Sequence, residues 1–191
     1  MSLVSVRNGI QSLFERHLFL TNISIAGTLF GVGDAIQQNI EIRVKKEKSS
    51  YDWPRTARMA TTGMFVMGPL SHHWFRALDR RWPKTDGHTI AKKVATDQLV
   101  SGPPFQFAFF WSMGTLEGKS WKEVCEEYRS KFLTVFLADC ALWVPMQCIN
   151  FRFVSPKFRI LFISCTFVVW NTFLSYFKHQ EYPSRAAVLI A

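Results

Sequence analysis

The stretch HLFLTNISIAGTLFGVG, residues 17–33, contains no Asp, Glu, Lys or Arg. Three more runs without these charged residues approach the same length: residues 59–75, 98–116 and 160–177. A further run, residues 132–151, is interrupted only by Asp139. A helix needs about 20 mostly apolar residues to cross the hydrocarbon of a bilayer. The pattern predicts an integral membrane protein, and it disfavours a soluble domain with buried helices.

The composition agrees with this class of protein. Charged residues make up 19% of the 191-residue chain and hydrophobic residues 48%, whereas a soluble domain has about 25% charged residues. We therefore expect an all-α fold, an integral membrane helical bundle of four to five transmembrane helices in a single membrane domain, 1–191. The apolar segments lie at about 17–38, 57–77, 95–116, 132–152 and 158–177. Leu3, Val6, Ile10, Leu13 and Phe14 share one face, which predicts an amphipathic N-terminal helix over residues 3–16.

The formal charge of +9 raises the question of nucleic acid. Lys and Arg occur in every hydrophilic stretch and are not gathered on one face, so lipid headgroups are the better match. Specific DNA binding is not expected. Basic residues are nearly balanced between the two sides of a five-span arrangement, 11 against 12, so the positive-inside rule leaves the orientation open.

Small residues recur every four positions in the first apolar segment, at Gly27, Gly31 and Ala35. Such a stripe lets another helix approach closely, so these three are candidate packing residues. Asp34 and Gln38 lie at the end of the same segment. Asp34 either meets water at a helix end, faces a wet cavity, or pairs with an Arg of a neighbouring helix, because a lone charge inside a membrane is costly.

Prolines and further polar residues interrupt the later segments. Gly68-Pro69 and Gly102-Pro103 predict kinks, which membrane helices tolerate where the interior is packed or wet. Asp139, Gln147 and Asn150 share the next segment. Their side chains are expected to bond between helices or to line a solute path.

Catalytic and metal-binding patterns are absent from the sequence. The four Cys show no C-x-x-C pair and the five His show no H-E-x-x-H spacing. No nucleophile stands beside an activating base in a known arrangement. We therefore expect neither an enzyme nor a cofactor.

Residues 68–79, GPLSHHWFRALD, resemble the G-P-x-x-H-x-W-Y-x-x-L-D signature of the Mpv-seventeen family, which is also named for the 22-kilodalton peroxisomal membrane protein. Nearly the whole chain follows the family's pattern, and residues 116–118 and 174–176 are most similar to the Mpv-seventeen-like protein two branch. Phe75 replaces the usual Tyr, Ser155 replaces a Pro, and Pro145 is shifted by one place. Further matching residues are Gly31, Gly33, Asp34, Gln38, Lys93, Asp97, Gln98, Trp143, Gln147, Asn150, Phe151, Val154, Pro156, Arg159, Trp170, Asn171, Leu174 and Ser175.

The resemblance implies a multi-pass protein of the mitochondrial inner membrane, or alternatively of the peroxisomal membrane. It implies one of two functions: support of mitochondrial gene expression through ribosome assembly, or a channel-like passage for small solutes that serves mitochondrial homeostasis and DNA maintenance. Ribosome assembly is the function we expect, and the channel is the alternative. The expected partners are the lipid bilayer, a mitochondrial ribosomal subunit and a second copy of the chain.

The two functions assign different work to the same residues. In a channel the polar side chains line a wet path, with Arg159 setting its charge preference. In an assembly factor they hold helices together, and the basic stretches 43–58 and 76–93 contact the ribosome. The candidate residues are Asp34, Gln38, His72, Asp97, Gln98, Asp139, Gln147, Asn150, Arg159 and Asn171.

Overall fold

The computed structural model describes residues 16–45, 50–154, 162–163, 165–170 and 172. Every regular element in these ranges is a helix, which confirms the predicted all-α class. The α-helices are α1 (Leu18–Lys45), α2 (Trp53–Thr62), α3 (Gly68–Arg81), α4 (Gly87–Thr96), α5 (Gly102–Leu116) and α6 (Trp121–Phe153). Residues 162–163, 165–170 and 172 are also helical. The candidates Arg159 and Asn171, and the amphipathic helix expected before residue 16, lie outside the described residues.

Two π-helical turns join these elements into longer helices. Gly63–Met67 connects α2 to α3, and Asp97–Ser101 connects α4 to α5. At the end of each turn a glycine N–H bonds a carbonyl five residues earlier, Gly68 to Gly63 and Gly102 to Asp97. A proline follows each glycine, and proline has no N–H and crowds the preceding turn. The wider π turn accommodates this crowding at both Gly-Pro pairs. Prolines and π turns are both common causes of helix kinks, so the kinks at these two places stay a prediction.

The two joined helices, residues 53–81 and 87–116, have the same sequence of structural features. Each begins after an Asp whose side chain accepts a hydrogen bond from a backbone N–H. Asp52 accepts from the N–H of Arg55, and Asp86 accepts from the N–H of Thr89. Hydrogen bonds from the Thr89 hydroxyl and backbone N–H hold the pKa of the Asp86 carboxyl below its ordinary value. The caps, the π turns and the Gly-Pro pairs all recur at the same offset along the chain. The chain thus uses one N-cap, π turn and Gly-Pro pattern twice in succession.

Length and composition allow two of the helices to cross a membrane. These are Leu18–Arg43 within α1 and Trp121–Phe153, which is α6. Large apolar side chains point outward from them, including Leu20, Leu133 and Leu137. Outward-facing apolar surface on long helices is what a lipid environment requires, and it supports a membrane helical protein.

Close packing of α1 on the next helix depends on glycine. A Cβ on Gly27 would lie 2.8 Å from Met64 Cβ and 3.1 Å from the Ala60 carbonyl oxygen. On the facing helix, a Cβ on Gly63 would lie 2.7 Å from Phe30 Cβ. Gly31 is less crowded, because its nearest neighbour would be Ala60 Cβ at 3.5 Å. Two of the three stripe residues therefore face α2.

The third stripe residue, Ala35, is half-buried, and its carbonyl accepts a hydrogen bond from Asn39.

The hydrophobic core lies between the helices and contains Phe30, Met59, Met67, Phe109, Phe110, Met113, Val135, Trp143, Ile163 and Trp170.

Candidate functional site

Asp34 and Arg55 form a buried ion pair between α1 and α2. Arg55 Nε donates to Asp34 Oδ1 over 2.8 Å, and Arg55 Nη1 donates to Glu41 Oε2 over 2.7 Å. Asp34, with no exposed surface, also accepts from Gln38 Nε2 at 2.8 Å and Thr56 Oγ1 at 2.7 Å. We call these five residues the α1–α2 ion network. Of the three environments expected for Asp34, the structure has the pair with an Arg of a neighbouring helix.

His72 lies elsewhere, at the contact between α1 and α3. The Asn22 side-chain nitrogen is 2.8 Å from His72 Nδ1, and Arg76 Nη1 is 3.5 Å from His72 Nε2. Asn22 and His72 border a cavity of about 40 Å³ between α1, α3 and the helical residues Ile163 and Phe167, which we call the His72 cavity.

A second cavity, of about 70 Å³, lies between α3, the second π turn, α5, α6 and the helical residues 167–170. We call it the central cavity. Its polar lining residues are Ser71, Asp97, Gln98, Ser101, Gln106, Asp139 and Gln147. Its aromatic lining residues are Trp74, Phe75, Phe105, Phe109, Trp143, Phe167 and Trp170. An aromatic wall with a few convergent polar groups is typical of a small-molecule site.

Asp97 stands at the start of the second π turn and is held by neutral donors. Trp74 Nε1 donates to its Oδ1 over 2.7 Å, and Gln147 Nε2 donates to its Oδ2 over 2.9 Å. Ser101 Oγ adds a bond of 3.1 Å to Oδ1. Asn150 Nδ2 in turn donates to Gln147 Oε1 over 3.0 Å, which orients that amide. The chain of bonds fixes the carboxylate in one position.

Asp139 is the second carboxylate of the central cavity. It accepts a hydrogen bond from Gln98 Nε2 at Oδ2. In the described parts of the chain no Lys or Arg forms an ion pair with Asp139 or Asp97. This separates the two aspartates from Asp34, which has its own guanidinium.

Gln106 is a site residue that the sequence reasoning missed. Its side chain is 5% exposed and lines the central cavity, yet neither its Oε1 nor its Nε2 has a hydrogen-bond partner among the described residues. Buried amides are nearly always bonded. A signal was present, because Gln106 is the one polar side chain within FQFAFFW, residues 105–111.

Lys93 is also absent from the predicted site. It is 1% exposed, and its Nζ donates to Asp79 Oδ1 over 2.6 Å and lies 5.0 Å from the ring centre of Phe151. The pair joins α4 to α3, and the aromatic contact joins α4 to α6. Because both contacts join helices to one another, we assign Lys93 a structural role.

The structure thus divides the predicted residues among three places. Asp97, Gln98, Asp139 and Gln147 line the central cavity, and Asn150 bonds to Gln147 beside it. Asp34 and Gln38 belong to the α1–α2 ion network, and His72 borders its own cavity. No group of three or more His, Cys, Asp or Glu suited to a metal ion occurs in the part of the chain that the structure describes.

Comparison with known proteins gives one consistent result. The Mpv17 / PMP22 family pattern matches residues 114–175. PXMP2/4 family protein 4 of Dictyostelium discoideum is 35% identical over 164 residues, 86% of this chain and 88% of that protein. The mitochondrial inner membrane protein Mpv17 of Danio rerio is 31% identical, covering 87% of this chain and 93% of that protein. Protein SYM1 of Mycosarcoma maydis is 35% identical, covering 78% and 74%. No solved structure matches the chain.

These relatives cover most of the chain and most of their own length. The family pattern includes the residues of the central cavity on α6, since it extends across Asp139, Trp143 and Gln147. On this similarity and its all-helical structure, the chain belongs to the Mpv17 / PMP22 family.

Proposed function

We propose that this protein is a channel-like helical bundle of the mitochondrial inner membrane whose central cavity admits small polar solutes. Its localisation follows that of relatives named as mitochondrial inner membrane proteins. The single observation that carries the proposal is the pair of carboxylates, Asp97 and Asp139, held at the wall of a cavity inside the bundle without a basic partner among the described residues. Ionisable groups are costly inside a membrane domain, and those without a charged partner are candidates for a substrate or ion pathway.

The two cavities adjoin, which suits a path through the bundle. Met67, Ser71, Phe75 and Phe167 line both the central cavity and the His72 cavity. Because the same four side chains form the wall of each, rotation of the flexible Met67 side chain would join them. Solutes would then move between Asp97 at one end and His72 at the other.

The proposal includes four to five transmembrane helices. In addition to α1 and α6, the two helices joined by π turns, residues 53–81 and 87–116, are each longer than the roughly 20 residues that span hydrocarbon. A fifth crossing would come from the apolar segment at about 158–177, of which residues 162–163, 165–170 and 172 are described and helical. The polar first turns of both joined helices, capped by Asp52 and Asp86, then lie at the interface.

Substitution of Asp97 by Asn tests the channel directly. The amide keeps most of the volume and removes the charge, so conductance or ion selectivity of protein reconstituted in planar bilayers is expected to change while folding is retained. Asp86→Asn, at an exposed helix cap, is the matched control and is expected to leave conductance unchanged. A wild-type protein that passes no current would contradict the proposal.

Ribosome assembly, the function expected from the sequence, is the second candidate, and a separate observation favours it. Arg80, Arg81 and Lys84 are exposed at one end of the bundle, where α3 ends. Such a basic surface can contact ribosomal RNA. Sedimentation of detergent-solubilised mitochondria tests it: co-migration with a ribosomal subunit, lost on treatment with RNase, would support this function. Migration only with small membrane complexes would reject it.

A further inference from the structure

The charge balance of the central cavity calls for a positive ligand. Asp97 accepts hydrogen bonds from Trp74, Ser101 and Gln147, and Asp139 from Gln98, so all the donors are neutral. Neutral donors orient a carboxylate and do not cancel its charge. Elsewhere in the same bundle Asp34 is neutralised by Arg55. Two carboxylates that share one cavity without such a partner attract a cation.

The walls of the cavity select among cations. A small inorganic ion such as Na⁺ or Mg²⁺ requires several oxygen ligands in a close shell. The wall of the central cavity contains instead the rings of Trp74, Phe105, Trp143 and Trp170 together with the two carboxylates. Aromatic faces attract ammonium groups that carry alkyl substituents, and aromatic cages are the usual recognition site for quaternary ammonium.

The side chain of Gln106 indicates that the ligand carries a second polar group besides its positive charge. Its buried amide presents one acceptor oxygen and one donor nitrogen at the cavity wall, both without a partner among the described residues. Leaving a buried amide unbonded destabilises the empty protein, so its presence indicates a group that bonds it in the occupied state. A hydroxyl can both donate to Oε1 and accept from Nε2.

We propose that the central cavity binds a small hydroxylated organic cation, whose ammonium group lies beside Asp97 and Asp139 against the aromatic wall and whose hydroxyl bonds to Gln106. The inference rests on the proposed function only in that the cavity admits solutes. Binding requires neither a complete path nor a current.

Four probes separate the contributions of charge and hydroxyl. Choline carries both groups, tetramethylammonium lacks the hydroxyl, and 3,3-dimethyl-1-butanol is the neutral isostere of choline. Sodium chloride at equal ionic strength tests the inorganic cation. With the purified full-length protein in detergent, titration calorimetry is expected to rank choline first, tetramethylammonium about tenfold weaker, and the neutral alcohol and sodium weaker still.

Two variants assign the contributions to residues. Asp139→Asn is expected to weaken choline and tetramethylammonium alike, by about tenfold or more. Gln106→Leu is expected to weaken choline about fivefold to tenfold and to leave tetramethylammonium unchanged. Because Gln106→Leu removes two unpartnered buried polar atoms, its melting temperature without ligand should equal or exceed that of the wild type, which excludes misfolding as the cause. Glu126→Gln, at an exposed site on the same helix as Asp139, is the control.

Several outcomes would overturn the inference. Equal affinity for choline and its neutral isostere would show that the positive charge of the ligand does not contribute to binding. Binding of sodium without binding of choline would show that the ligand of the central cavity is an inorganic cation. A tenfold gain in choline affinity in Arg159→Gln would show that this guanidinium already fills the cation position. Choline binding without ion or solute flux in proteoliposomes would refute the channel and leave the binding site standing, whereas flux without choline binding would do the reverse.

Discussion

Among the described residues, the aspartates inside the bundle are of two kinds, and their partners determine their roles. Asp34 is paired with Arg55, which also donates to Glu41, so the positive charge offsets carboxylates from α1. Asp97 and Asp139 have neutral donors. A buried carboxylate with its own cation contributes to stability and specificity of packing, while one without a cation remains available to a ligand.

Substitution of Arg55 by Met is therefore expected to be severe. It leaves the Asp34 carboxylate buried without a counter-charge, and breaking such a pair costs about 3–5 kcal/mol. Arg58→Met is the matched control on the same helix, because its pair with Asp52 is long, at 4.0 Å, and partly exposed. The free energy of unfolding, measured by titration with SDS in mixed micelles, gives the comparison. Equal losses in the two variants would show that the α1–α2 ion network adds no special stability.

At the scale of the helix, the stripe of small residues on α1 is unequal along its length. Gly27 is in contact with the facing helix at a distance that admits no Cβ, whereas Gly31 has ordinary van der Waals space. The spacing of the residues predicted the stripe but could not rank its members. That ranking depends on the crossing point of α1 and the facing helix, which the four-residue spacing does not encode.

Three substitutions test this ranking. Gly27→Ala is expected to destabilise, because the new Cβ would lie 2.8 Å from Met64 Cβ, an atom that cannot move without the backbone. Gly31→Ala should be neutral or stabilise by up to about 1 kcal/mol, since alanine favours a helix over glycine. Gly31→Leu should lower the protein level, because its branched end would meet Ala60 and Thr56. Melting temperatures in detergent and steady-state abundance in mitochondria are the measurements, and equal effects of alanine at both sites would refute the ranking.

Local pattern and tertiary structure contributed differently to what could be predicted. Uncharged runs predicted the helical class, but the apolar segment at about 95–116 starts later than the helix that contains it, which begins at Gly87 with a polar, capped turn. Prolines predicted a local change of the helix at each Gly-Pro pair, but not that it would be a π turn, because the hydrogen-bond register of the backbone is not visible in residue spacing.

The sequence predicted which residues belong to the candidate site better than it predicted which of them bond to one another. Asp97 and Gln147 are 50 positions apart, and Gln98 and Asp139 are 41 positions apart, so only the tertiary fold shows that each pair is bonded. Gln106 was missed because it stands alone among aromatic residues, without a second polar group at helical spacing.

For the molecule as a whole, helix count and orientation decide whether the cavities can connect the two sides of the membrane. If the joined helix 87–116 crosses once, the loop before it and the loop after it lie on opposite faces. The sequence leaves the direction undecided, because basic residues number 11 and 12 on the two sides of a five-span arrangement. The crossing itself is a separate question from its direction.

Cysteine labelling answers that question. In a background where Cys125, Cys140, Cys148 and Cys165 are replaced by Ser or Ala, single cysteines are introduced at the exposed Lys84 or Lys122, which flank helix 87–116. A membrane-impermeant maleimide added to intact mitoplasts is expected to label one of the two, and permeabilisation to reveal the other. Labelling of both from the same side would mean that helix 87–116 does not cross. Asp97 would then lie outside a transmembrane bundle, and the central cavity could not serve as a passage.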